Sequence, residues 1–252
     1  MDWGGFEDDE TDSDYWDEPE TRLRRACQKG RVEEVRHLLS VEAADMDINE
    51  FTMYGETTAL YEAVCSRKKG DLEIVKMLLA AKADVDAVVP DSDYEDTPLI
   101  AACALGDRIM INILLAAKAD LESDQGGYGS GPLHAACRAG NLKTIRLLLA
   151  AKTNVNRKGV VGGLDALHVS CRWNSRNRTD VAKLLLAAKA KVNSKASNAT
   201  GMTSLYVAAE GGHTKLVKLL LSASARVNQV IQHQRTPLLI ATEEGHPTTV
   251  RA

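Results

Sequence analysis

Aromatic residues are scarce in this chain, at 4% of 252 residues against 44% for the apolar class as a whole. Its interior must therefore be filled by Leu, Val, Ile and Ala, which suits thin helical layers. No apolar run approaches the roughly 20 residues of a membrane-spanning helix. The first residues also lack the basic, apolar and small-residue succession of a secretory leader. Both absences lead us to expect an intracellular protein, cytoplasmic or nuclear. No Cys-x-x-Cys pair offers a zinc site. The glycines of 126–131 are followed by no Gly-Lys-Ser/Thr and do not fit Gly-x-Gly-x-x-Gly. No His stands at a motif spacing from a Ser or Cys nucleophile. The expectation is a non-enzymatic chain with no catalytic residues, cofactor, metal or small-molecule substrate.

What the chain does have is a phrase that it repeats: Thr97-Pro-Leu-Ile-Ala-Ala-Cys103, Gly131-Pro-Leu-His-Ala-Ala-Cys137, Asp165-Ala-Leu-His-Val-Ser-Cys171, Thr203-Ser-Leu-Tyr-Val-Ala-Ala209 and Thr236-Pro-Leu-Leu-Ile-Ala241. With Thr21 and Thr58 added, the starts lie 37, 39, 34, 34, 38 and 33 residues apart. A second phrase of the type Leu-Leu-Ala-Ala-Lys-Ala-Asp-Val-Asp follows at a near-constant offset, as in Leu78 to Asp86 and Leu185 to Asn193. Thr followed by Pro suits a helix start, because the hydroxyl caps orphan amides and Pro lacks an amide that would go unpaired. A Gly or Asn nine to twelve residues on (Gly30, Gly70, Gly106, Gly140, Asn177, Gly212, Gly245) predicts a left-handed end to the first helix. A second helix follows, with apolar residues at helical spacing such as Leu142, Ile145 and Leu148. No single helix pair can bury that stripe, so the copies must stack.

In these two phrases the chain resembles ankyrin repeats over residues 21–252. The resemblance implies an all-α solenoid of about seven helix-turn-helix units, the last incomplete, with short hairpin-like finger loops. The units start near 21, 58, 97, 131, 165, 203 and 236. It also implies protein–protein recognition through a concave groove and the fingers. Lys82, Lys118, Lys152 and Lys189 depart from the family, standing where Gly is usual at a left-handed helix end. The unit beginning at Thr236 stops where earlier ones continue to Leu-Leu. A continuation beyond Ala252 is expected, as is fraying of the last half-helix.

Candidate partner-binding residues come from three features. Tyr54, Tyr94 and Tyr128 occupy comparable sites in successive fingers, where gripping an extended peptide and ordinary turn packing are both open readings. Two three-residue turn insertions are basic: one carries Arg67 and Lys68, the other Trp173 and Arg176. A Trp between arginines has the composition of an interface anchor, although Trp173 can equally cover its own turn. Arg138, Arg172 and Glu210 share one position of the first helices, and Glu62, Ala101, Ala135, Val169, Val207 and Ile240 another; in the family both face the groove. Residues 1–20 hold ten acidic residues and no Lys or Arg, leaving 31 basic and 25 acidic residues for the rest. Such a segment is expected to be disordered alone. Its Trp3, Phe6, Tyr15 and Trp16 raise the alternative of a recognition or autoinhibitory element.

Two other functions stay open. The chain could be the ankyrin segment of a larger channel, kinase or ubiquitin-ligase adaptor, or its basic turns could bind nucleic acid, which net +6 and acidic fingers make the weaker reading. Cys27, Cys103, Cys137 and Cys171 recur six residues after each start, with Cys65 one residue later. Stacked copies would hold them about 8 to 10 Å apart, too far for disulfides.

Overall fold

The computed structural model describes residues 18–42, 46–50, 57–88, 96–126, 131–160, 162–172 and 177–252. Among these residues there are fourteen α-helices, one 3-10 turn, two isolated β-bridges and no strand, so the fold class is all-α. Residues 1–92 and 93–252 form two compact units.

The first unit holds α1 (Pro19–Lys29), α2 (Val32–Val41), α3 (Ala59–Cys65) and α4 (Asp71–Ala80). Within it α1 packs on α3 and α2 on α4, while α1 with α2 and α3 with α4 pack as hairpins. Leu23, Leu38, Leu60, Ile74 and Leu78 are fully buried between them.

The second unit repeats the plan. Its first helices are α5 (Pro98–Leu105), α7 (Pro132–Ala139), α9 (Ala166–Arg172), α11 (Ser204–Glu210) and α13 (Pro237–Glu243). Its second helices are α6 (Arg108–Ala116), α8 (Leu142–Ala150), α10 (Arg178–Ala187), α12 (Thr214–Ser222) and the four-residue α14 (Pro247–Val250). First helices pack on first helices and second on second, in chain order. Leu114, Leu148, Leu185 and Leu220 are each fully buried. Burying one leucine is worth about 1.5 to 3 kcal/mol, so the repeated leucines hold the stack.

The capping chemistry follows the sequence. The hydroxyls of Thr58, Thr97, Thr203 and Thr236 each accept an amide three residues on, at 3.2 to 3.3 Å. Asp107 caps Ile109 and Met110, and Asn141 caps Thr144. Gly131 replaces Thr because a Cβ there would lie 2.4 Å from the carbonyl oxygen of Ser123.

Two expectations are corrected. Thr21 does not open α1: Pro19 occupies the first helical position, so the helix begins two residues earlier and Thr21 is buried inside it. Asn177 is not left-handed, having φ −100°; it precedes α10, and its amide donates to the carbonyl oxygen of Gly140 at 3.1 Å. In the other long turn the left-handed residue is Arg67, at φ 52°, besides Gly70.

Lys82, Lys118, Lys152 and Lys189 adopt φ between 65° and 68°, and Ser224 does the same in its repeat. The amide of Lys82 bonds to Leu79 O and that of Ala83 to Leu78 O, the paired bonds of a Schellman ending. The chain accepts a left-handed lysine here because those bonds and the helix dipole offset its cost. Lys152→Gly is therefore expected to stabilise the fold by about 1 kcal/mol, seen as a raised thermal midpoint.

The five cysteines are free thiols, four of them buried. Burial raises the pKa of all four, to about 12 for Cys103 and Cys171.

Candidate binding surface

The second unit's first helices bring one position of each repeat into a row. Arg138 is half-buried; Arg172, Glu210 and Glu243 are exposed. The row changes sign along the stack, with Glu243 held by Arg235 at 3.2 Å. The neighbouring position does not form an open floor: Ala101, Ala135, Val169, Val207 and Ile240 are all buried, Val169 most exposed with Ala101 at 5%. In the first unit its equivalent, Glu62, accepts from the Thr57 hydroxyl at 2.7 Å and faces Arg24 at 3.6 Å. The accessible edge is therefore the row of charged residues.

Two fingers are locked to the helices by histidines. His134 Nε2 lies 3.1 Å from Leu164 O, and His168 Nε2 lies 3.0 Å from Met202 O, so each ring bonds to the finger that follows its repeat. Burial lowers the His134 pKa, partly opposed by the bond to Leu164. His168 Nδ1 also meets Asp165 Oδ1 at 2.8 Å, and the same oxygen accepts the amides of Leu167 and His168. Burial alone would raise the Asp165 pKa, but the hydrogen bond and charge of His168 outweigh it and hold the carboxyl below its usual 3.8.

Two of the fingers are minimal hairpins. Lys158 bridges to Asp165 and Lys195 to Thr203, closed by Gly159 N to Leu164 O and Ala196 N to Met202 O. Ser197 N donates to Gly163 O, joining one finger to the next. Gly163 has φ 57°, and a Cβ there would sit 2.3 Å from the Ser197 side chain, so only glycine fits. Lys158 Nζ adds bonds to Lys195 O and Ser197 Oγ. At the finger tip Val160 is 68% exposed.

Deeper connections sit at the finger bases. Asn156 Oδ1 accepts from Lys191 N and Asn193 Oδ1 from Arg226 N, each at 2.8 Å. Glu122 accepts from the Thr153 hydroxyl and Asn154 N. Where the second-helix turns stack, Arg178 meets His213 Nε2. Burial, Arg178 and His246 together lower the His213 pKa to about 4, so a neutral ring accepts from the guanidinium.

Of the sequence candidates, Arg138 and Arg172 fall one repeat apart in the same row. Arg67 and Lys68 lie in the exposed turn before α4, where the Lys68 amide bonds to Asp71 and the Ser66 hydroxyl donates to Asp71 Oδ1 at 2.7 Å. Tyr54, Tyr94, Tyr128, Trp173 and Arg176 lie outside the described residues, as does the acidic segment through Asp17. The roles of Asp165, Glu122 and Asn156 were missed. Their signal was repetition: each stands at a recurring polar position beside a finger. Among the described residues no helix is long and apolar enough to cross a membrane.

The family model described as Ankyrin repeats (3 copies) matches residues 6–91, 68–159, 99–196 and 167–252. The ankyrin repeat and KH domain-containing protein mask-1 of Caenorhabditis elegans is 42% identical over 78 residues, 30% of this chain and 3% of that protein. The putative E3 ubiquitin-protein ligase XBAT34 of Arabidopsis thaliana is 41% identical over 73 residues, 29% of this chain and 19% of the relative. The chain thus aligns with only a small part of these longer relatives. Among solved structures, the human ASB11 ankyrin repeat domain superposes with TM-score 0.69 and 25% identity, over 87% of this chain and 90% of that one. The ankyrin repeat domain of Bcl-3 superposes with TM-score 0.73 and 23% identity, over 88% and 93%.

Proposed function

Because the chain belongs to the ankyrin-repeat family, we propose that it is a non-enzymatic recognition module that holds a protein partner along its first helices and fingers. The observation that carries this reading is a contrast between interior and edge. The leucines, caps and left-handed turns recur from repeat to repeat, while the charged row runs from half-buried Arg138 through exposed Arg172 to Glu210 and Glu243. A position that tolerates opposite charges is free of packing demands and available for a partner. Arg67 and Lys68, with Tyr54, Tyr94, Tyr128, Trp173 and Arg176, are proposed as additional contacts, and residues 1–20 as an acidic element that lowers partner affinity.

The test is affinity capture with the whole chain and its Arg138→Glu/Arg172→Glu variant, followed by a titration of the captured partner. The double reversal is expected to weaken binding at least tenfold while deletion of residues 1–20 strengthens it. Equal affinity for all three proteins would contradict the reading. A second reading is supported by the small share of its longer relatives that the chain covers: the array serves as the recognition segment of a larger protein such as a ubiquitin ligase.

A further inference from the structure

The second unit is basic as a whole, with 20 Lys and Arg against 12 Asp and Glu in residues 93–252, and much of that excess stands on its second helices. Helix α8 and its closing turn carry Lys143, Arg146 and Lys152, with no acidic residue between 141 and 152. Helix α10 and its turn carry Lys183, Lys189 and Lys191, with Asp180 as the one acid. Helix α12 and its turn carry Lys215, Lys218 and Arg226, again with none. All nine are exposed. Among the described residues, Lys183 is the only one of them ion-paired, to Asp180 at 3.2 Å. The comparable stretch of the first unit, Val32 to Glu42, has Glu33, Glu34 and Glu42 against Arg36. The basic face is thus a property of the second unit and not of the repeat.

From these positions we infer that the second-helix face of residues 141–226 binds the phosphate backbone of double-stranded nucleic acid. Neighbouring helices lie about 8 to 10 Å apart, so each row presents one cation about every 8 to 10 Å, near every third phosphate of a strand whose phosphates are spaced about 3.4 Å. The cations also form two rows and not one. One row follows the helix bodies (Arg146, Lys183, Lys218), and the turns add Lys152 and Lys189 at one position with Lys191 and Arg226 two residues further on. At a rise of 1.5 Å per residue the rows stand on the order of 10 Å apart, near the roughly 12 Å width of a major groove. A single extended acidic peptide would engage one row; a duplex presents two backbones. The exposed positions of α8, α10 and α12 hold no aromatic or large apolar side chain. Base stacking and insertion into a lipid interface are therefore not built into this face, and the contact should be independent of sequence.

The probe is a fluorescent 24-base-pair DNA duplex titrated with the whole chain at 50 and 200 mM salt. About five phosphate contacts predict a few-hundredfold loss of affinity across that range. A second duplex of unrelated sequence should bind within about twofold of the first, as backbone contact requires. The variant Lys143→Glu/Arg146→Glu/Lys183→Glu/Lys218→Glu, changed only at exposed positions and checked by circular dichroism, should lose binding at least thirtyfold. Arg138→Glu/Arg172→Glu on the first-helix row should change it less than threefold. No binding at 50 mM salt, equal loss in both variants, or equally tight binding of poly-glutamate through the same four residues would overturn the inference.

Discussion

Asp165→Ala is expected to destabilise the second unit by about 2 to 4 kcal/mol, from the loss of a helix cap together with a buried acceptor shared by several donors. One carboxylate oxygen accepts the amides of Leu167 and His168 and faces His168 Nδ1, in a site where Asp165 is 2% exposed and His168 fully buried. The other ring nitrogen faces Met202 O at 3.0 Å. Alanine would strand two amides and a ring without water to replace the lost acceptor. Asp165→Asn keeps the cap and should lose less, which separates capping from charge. A carboxyl whose folded pKa lies below its unfolded value contributes stability above about pH 4, lost as pH falls through the folded value. Urea denaturation from pH 7 to pH 3 should therefore show a declining midpoint in the wild type, with a shallower decline in Asp165→Asn. An Asp165→Ala midpoint equal to the wild type at pH 7 would mean that the cluster contributes nothing.

Leu148→Ala is expected to cost about 2 to 5 kcal/mol and to change the shape of unfolding as well as its midpoint. Leu148 is fully buried in α8, which packs on both α6 and α10. A cavity there weakens two interfaces at once, because a stacked repeat is stable chiefly through its neighbours. The helices beyond α8 would then unfold at a different urea concentration from those before it, replacing one transition by two. Leu220→Ala in α12, nearer the end of the stack, should cost a similar amount with less splitting. A single sharp transition for Leu148→Ala would show that the unit unfolds as one block.

Much of this was readable from the chain because it is local. A Thr hydroxyl reaches an amide three residues away whatever surrounds it, and a helix that has run out of partners needs a left-handed residue at a fixed offset. The lysines at φ near 66° illustrate the point: the sequence located the turn even though the residue was atypical for it. The readings that failed were those in which a neighbour intervened. Thr21 lost its capping role because the helix begins at Pro19, and Asn177 turned its amide to Gly140 in the repeat before it. Ala135 and Ala101 are buried, which only the stacking of first helices decides.

The sequence by itself determined the period, the helices, their caps and the family, since each depends on residues within a few turns of one another. Only the tertiary structure decided which side chains were accessible and which repeats they joined. His134, His168, Asn156 and Glu122 look alike as polar residues in a repeating phrase, yet each one's partner lies about 30 or more residues away. The same holds for the cations of α8, α10 and α12. Spread over residues 143–226 they are a modest excess of charge, and stacking at about 10 Å per repeat is what turns them into a surface.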